Sequence, residues 1–414
     1  MTTDLDILPA GALAGIKVLD FTRFMQGPWA TRILADLGAE VIKIERPGGE
    51  WDRRLRVSPE GFAGFFTALN RGKKSLAVDI TTVEGRELVL RLVADCDVVV
   101  ENFRASVLDR LGLGYEDIRR VNPSVIFAAG SGYGPNGPRA SEPMYDMVAQ
   151  AVSGVSDFNR APDGTPRLAT RGLADTAGGM FLAMAILAGL VVRERTGIGQ
   201  RVDASLVGSS IGLHPAEVTI ALDAGKVFRL GGARVTATSG AFRARDNQWL
   251  VIGATDQKLW AGLATTLGLE HLNDDERFNR SRIRETNRAL LEPIIEEAFR
   301  RRDRDDWLPL LAAHGVPVAP VNSFLDLADD PDVRANGYIV EQPDRQFGTV
   351  RLVGSPFHLQ QTPLRVGDTT PELGEQSVEV LKEAGLSAAE IDALVAAGVV
   401  EVGTALETIK EMVR

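Results

Sequence analysis

Ile16-Lys17-Val18-Leu19-Asp20-Phe21 is followed by Gly27-Pro28 and then by Val41-Ile42-Lys43-Ile44-Glu45. The first and last segments are short, largely apolar runs, the second stopped by Pro47-Gly48-Gly49, and they read as strands. Gly27-Pro28 opens a helix between them, because proline suits an early helical position, and that helix ends near Gly38. The alternation continues with strands at 75–79, 98–101 and 124–129 and a helix at 82–95. Strand alternating with helix predicts an α/β fold: crossover units and a mostly parallel sheet covered on both faces.

Farther along, the pattern changes. A helix is expected over 206–225 as a linker, after an N-cap at Ser205. The stretch 226–238 is irregular and rich in glycine and basic residues, and strand-like segments follow at 240–245 and 249–252. Helices are expected at 257–267, 284–302 and 304–314, so 226–316 reads as a smaller α+β domain. A strand at 348–353 and helices at 375–384 and 388–397 lie in a return segment, 317–400, ahead of a tail at 401–414. A chain of 414 residues exceeds one typical core, which agrees with two or three domains.

The net charge of −10 speaks against a general partner in nucleic acid or at a membrane surface. A single cysteine, Cys96, excludes an intrachain disulfide and fits a reducing, cytoplasmic compartment. The opening MTTDLDILPAG has neither a basic start nor a long apolar stretch, so no signal peptide is visible. The longest apolar run, 177–192, is shorter than the ~20 residues of a membrane span and reads as a buried core helix.

That run follows Arg171-Gly172-Leu173-Ala174-Asp175. A carboxylate where a loop becomes a helix has two readings. Aspartate is among the best N-caps. It is also a nucleophile that needs no general base, being ionised at neutral pH. Backbone N–H groups of Thr176 to Gly179 are then candidate oxyanion donors.

Other motifs are weaker. Gly208-Ser209-Ser210-Ile211-Gly212 matches a nucleophile elbow literally, but the cap at Ser205 places Ser210 inside a helix. The loop from Gly130 to Gly137 contains G-x-G-x-x-G, yet Pro135 and Pro138 stand where a dinucleotide loop would become a helix. The four histidines are far apart and form no metal motif. Basic residues cluster at Arg46, Arg53, Arg54, Arg56, Arg71, Lys73 and Lys74; about half read as solvated charges. Arg46 and Asn102-Phe103-Arg104 follow strands at their carboxyl ends, where open α/β sheets bind ligands, and a phosphate-rich ligand would suit them. Lys226, Arg229 and Arg234 read either as surface charges or as partners for a dicarboxylate.

Taken in order, these segments resemble the class III coenzyme A transferases, the formyl-CoA and carnitine-CoA transferase group. The matching pieces include Lys17–Phe21 with Gly27-Pro28, 37–45, 99–103, 145–150, 173–175, 196–203, 315–321 and 373–375. The resemblance runs from about Leu13 to Val400. It implies a Rossmann-like large domain built from both chain ends (1–205 and 317–400), a smaller middle domain, and an interlocked homodimer. It places the catalytic carboxylate on Asp175 and coenzyme A contacts on Gln26, Arg46, Val78, Asn102, Phe103, Arg110 and Tyr133. It implies coenzyme A and its acyl thioesters as substrates, a small carboxylic acid as acceptor, and no tightly bound cofactor or metal. Asp175 would attack an acyl-CoA, forming a mixed anhydride and then an aspartyl-CoA thioester. Three other readings are an α-methylacyl-CoA racemase, a nicotinamide-dependent dehydrogenase and a non-catalytic CoA-binding subunit. The racemase relatives place a histidine shortly before this aspartate, and this chain has none before His214.

Overall fold

The computed structural model describes residues 11–55, 63–227, 229, 234–345, 347–366 and 370–403. Strands β1 (Lys17–Asp20), β2 (Glu40–Glu45), β3 (Lys74–Val78), β4 (Val98–Glu101), β5 (Ile126–Ser131) and β6 (Gln200–Ser205) form a parallel sheet. The middle of the chain supplies β7 (Arg234–Thr236), β8 (Ser239–Arg243), β9 (Trp249–Gly253) and β10 (Val318–Pro320), an antiparallel sheet. A hairpin of β11 (Ile339–Asp344) and β12 (Gly348–Val353) follows, and the short β13 (Val400–Glu401) returns antiparallel to β3. The large sheet therefore has the order β13-β3-β2-β1-β4-β5-β6. Such an order reverses direction between β1 and β4, as in doubly wound dinucleotide folds.

Burial explains the sequence pattern. Val18, Leu19, Val98, Val99 and Val100 are all within 1% of complete burial, as strands covered on both faces require. One apolar cluster, around Leu76, Val89 and Phe127, fills one face; another, around Leu34, Ile126 and Ile186, fills the other. Cys96 is buried in the first cluster, and burial pushes its thiol up to about 12, so it is an inert packing group.

The basic cluster divides differently from the solvated-surface expectation. Arg71 forms a bidentate pair with Asp36 at 2.7 and 2.9 Å, and Lys73 meets Asp20 at 2.9 Å, all four side chains being buried. Arg53 grips the buried Glu45 with two bonds of 2.7 Å. These cations neutralise carboxylates at strand and helix ends, because an unpaired buried charge would be strongly destabilising. Arg56 lies outside the described residues.

The chain divides into two compact units: the first contains the chain up to Ser156, then Leu168–Lys226 and everything from Arg334 on. The second contains Asp157–Arg167 and Val227–Val333. The exit expected at 317 thus falls later, because Ala319 pairs with Val251 and adds β10 to the small sheet. The linker expected as one helix over 206–225 is two, Leu206–Gly212 and Pro215–Ala224, with Pro215 opening the second. Ser205 caps the first, its hydroxyl accepting from the Gly208 N–H at 3.0 Å. The tail expected from 401 begins with a strand residue, and 404–414 lie outside the described residues.

The long helix Leu173–Thr196 is apolar and long enough to cross a membrane by length and composition. It instead buries Ala177, Gly178, Gly179, Leu182, Ala183 and Ile186, packing on the sheet and on the helix Gln26–Asp36. Gly179 permits this crossing: a methyl group there would lie 2.5 Å from the Gln26 carbonyl oxygen and 2.8 Å from the Trp29 ring. Small residues at such a crossing allow backbones to approach closely. The packing brings the Gln26 segment to the first turn of the helix that carries Asp175.

Candidate active site

A cleft of about 1440 Å³ opens in the first unit beyond the carboxyl ends of β1, β4 and β5. This is the switch point of the sheet, where doubly wound folds bind their ligands. The volume exceeds the ~300–1,000 Å³ of a typical small-molecule site and suits a large ligand with several parts. Gln26, Asn102, Phe103 and Asp175 line it.

Among the described residues, the other four expected contacts stand outside that lining. The Val78 side chain is buried in the core and its backbone pairs with Val400. Arg46 is occupied by Gly49, its Nε donating to the carbonyl at 3.0 Å. Arg110 is exposed at the end of the short helix Val107–Arg110. Tyr133 carries the Arg139 guanidinium over its ring at 4.1 Å. Arg104, by contrast, is exposed and faces the cleft.

Asn102 has a different task from the one its type suggests. Its Nδ2 donates to the Arg23 carbonyl and its Oδ1 accepts the Arg23 N–H, both at 2.8 Å. The amide clamps the 23–26 segment to the end of β4. Gln26 is nearly fully buried, and its Nε2 donates to the Ala204 carbonyl at 3.3 Å. Methyl groups at Gly130 and Gly178 would each fall within 3 Å of its amide, so glycine at both positions makes room for it. Of the two residues, neither offers a freely rotating ligand group.

Asp175 is not the cap of its helix. Gly172, at φ +74°, is the N-cap residue, and Asp175 lies in the first turn. The capping carboxylate comes from Asp146, which begins the helix Asp146–Val152. Its Oδ2 accepts the Gly172 N–H at 3.0 Å; its Oδ1 accepts Ala174 at 2.7 Å and, more weakly, Asp175 at 3.4 Å. Gln150, one turn along, donates to Asp146 at 2.8 Å and to the Thr170 carbonyl at 2.7 Å, and accepts the Ala169 N–H at 3.0 Å. One helix face thus holds the whole 169–175 turn. The expected oxyanion donors are also corrected: the Thr176 N–H bonds the Gly172 carbonyl at 2.8 Å, and Ala177 to Gly179 lie inside the helix, where their N–H groups are taken.

With the cap supplied elsewhere, the Asp175 carboxylate is left for chemistry. Among the described residues no donor lies within hydrogen-bonding distance of it. Burial and the charge of Asp146 raise it to about 6. It remains mostly ionised at pH 7 but is less stabilised than a solvated carboxylate, which favours reaction. Glu101, also lining the cleft, is raised to about 7 by burial, although it accepts the Phe103 N–H at 2.7 Å. Sequence reading missed Asp146, Gln150 and Glu101 as site residues. The i,i+4 spacing of Asp146 and Gln150 was visible, but not what their shared face meets.

The other motifs are resolved by geometry. Ser210 is buried within its helix and donates to the Leu206 carbonyl at 2.8 Å, which leaves no elbow. The glycine loop after β5 runs on to the helix at Asp146 without opening one directly. A methyl at Gly132 would meet Met144 Cβ at 2.3 Å, so that glycine serves packing. Arg229 pairs with Asp157, and Arg234 with Glu292 and Glu296, so both have intrachain carboxylate partners.

Comparison with known proteins adds to this geometry. The model of the family described as CoA-transferase family III matches residues 13–377. An acyl-CoA transferase of Fusarium pseudograminearum is 37% identical, the match spanning 92% of this chain and 86% of that protein. A succinyl-CoA:glutarate CoA-transferase of Mus musculus is 34% identical over 94% of this chain and 90% of its own. The crystal structure of a CAIB/BAIF family protein from Brucella suis superposes with a TM-score of 0.82 at 35% identity, covering 90% of this chain and 99% of that one.

Proposed function

This chain belongs to CoA-transferase family III, and on that premise we propose that it moves coenzyme A between an acyl thioester and a carboxylic acid by way of Asp175. The coarser activity, transfer between acyl-CoA and carboxylates, follows from membership. The route through the aspartate is our reading. The observation that carries it is a partly buried carboxylate in the cleft that has no hydrogen-bond partner among the described residues, with its helix capped by a second carboxylate.

In this mechanism an Asp175 oxygen attacks the thioester carbonyl, the C–S bond breaks, and the thiolate leaves a mixed anhydride. The thiolate then attacks the aspartyl carbonyl and expels the acyl carboxylate, giving aspartyl-CoA. The acceptor carboxylate repeats both steps in reverse, so no net proton or energy input is needed. The anhydride survives only if water is kept out. Exposed apolar residues support a homodimer: the helix Pro215–Ala224 buries none of its residues, and Leu222, Met184 and Val191 stand open. A second copy would cover these faces.

Two measurements test the reading. With an acyl-CoA donor present, hydroxylamine should convert Asp175 into its hydroxamate, visible in the mass of the peptide that carries it. An active enzyme that never yields this adduct would point to direct transfer. Because Asp175 must be ionised, kcat/KM should fall tenfold per unit as pH drops below about 6. A flat profile from pH 5 to 8 would contradict the assignment.

A further inference from the structure

The cleft has an aromatic wall that the transfer chemistry does not itself require. Phe24, Trp51 and Tyr145 all line it, and they are 44%, 55% and 62% exposed. The Phe24 ring lies 6.1 Å from that of Trp51 and 6.5 Å, edge-on, from that of Tyr145. Single exposed aromatics are ordinary, but three in contact inside a cleft are not. Phe24 also has φ +62°, a left-handed backbone that a bulky residue adopts only when its surroundings impose it. They do so here. The Phe24 N–H donates to Asp52 at 3.3 Å, and the preceding Arg23 is clamped on both sides of its backbone by Asn102.

Met25 continues the wall to the reacting group. A methyl at Gly172 would lie 2.9 Å from its sulfur, so Met25 packs on the turn that begins the Asp175 helix. We propose that Phe24, Trp51 and Tyr145 form the subsite for the acyl tail and select an apolar acyl group, aromatic or branched, over the second carboxylate of a short diacid. This rests on the reading of Asp175 as the acyl acceptor. Aromatic faces reward apolar and flat groups, whereas a carboxylate desolvated against them without a partner is penalised. The surroundings of Asp175 agree: burial and the Asp146 charge both raise its carboxyl. A second anion alongside would add to that repulsion.

Unreactive thioethers test the subsite apart from the chemistry. Binding of S-benzyl-CoA and S-(2-carboxyethyl)-CoA to the full chain would be measured by calorimetry. The benzyl compound should bind at least about tenfold more tightly, the range expected for filling an apolar pocket. Trp51→Ala and Phe24→Gly should remove most of that advantage while leaving the Kd of coenzyme A unchanged. Glycine suits the φ of residue 24, so the second variant removes the ring without straining the fold. Equal or tighter binding of the carboxyethyl compound would overturn the proposal, as would a preference unchanged in both variants. Selective loss of carboxyethyl binding in Arg171→Ala would assign the subsite to a distal carboxylate instead, Arg171 being a cation of the same cleft. If the thioethers rank as expected but neither phenylacetyl-CoA nor succinyl-CoA supports transfer to any carboxylate, the transfer reading fails and the subsite stands.

Discussion

Asp175→Ala should reduce steady-state CoA transfer by about 10⁴-fold or more, the scale seen when a covalent nucleophile is deleted, and leave coenzyme A binding largely intact. The carboxylate makes no bond that holds the cleft together, and the helix cap belongs to Asp146. Residual transfer within a hundredfold of wild type would remove Asp175 from the mechanism. Asp175→Asn keeps the shape and should be equally inactive, since a neutral amide does not open a thioester. It should also be more stable than wild type at pH 7. The Asp175 carboxyl is raised to about 6 in the folded chain, first by burial and then by Asp146. Its ionised form therefore detracts from stability above that pH, an effect that fades as pH falls from 6 towards 4 and is absent below. Allowing for partial exposure, the gain is on the order of 1–2 kcal/mol. Thermal melts should show the gap between the Asn variant and wild type closing over that interval. A gap that stays constant with pH would mean that the gain has another origin.

Asp146→Ala should lower kcat by about 10²-fold, the scale of a misplaced reacting group, with a smaller change in KM. It orphans the N–H groups of Gly172 and Ala174 and frees Gln150 from one partner. The turn that aims Asp175 then loses its support, and stability falls by about 1 kcal/mol or more, as for a lost cap. Asp146→Asn removes the anion that raises Asp175 but keeps only one of the two acceptor oxygens that hold the turn, so it should cost less kcat than the alanine variant while the acid limb of the pH profile moves to lower pH. Glu101 titrates near 7 in the same cleft, and it is the movement of the lower limb in this variant that assigns that limb to Asp175. An unmoved limb together with unchanged kcat would leave Asp146 a purely structural residue.

Much of the fold was legible locally. The apolar runs at β1, β2 and β4 announce strands buried on both faces, and the Ser205 cap and the helix over 257–267 are set by neighbouring residues. The β11 strand was not legible, because Pro343 and the polar Glu341, Gln342 and Asp344 leave it only two apolar residues. Nor was the break at Pro215, since the sequence on either side is helical in character.

The site divides along the same line. Asp175 was singled out by its place ahead of an apolar helix, and Asn102 and Phe103 by following a strand at its carboxyl end. Their tasks were not readable. Whether Asp175 caps or reacts depends on another carboxylate 29 residues away. Whether Lys73 meets solvent or Asp20 depends on a contact across 53 residues. Sequence determines strand and helix through interactions within a few positions, and so by itself it established the parallel sheet, its ligand-binding edge and a reactive type of side chain at that edge. Only the tertiary structure decided which carboxylate is spent on the backbone and which is left free. That choice is made by hydrogen bonds and desolvation between segments that chain order does not bring together.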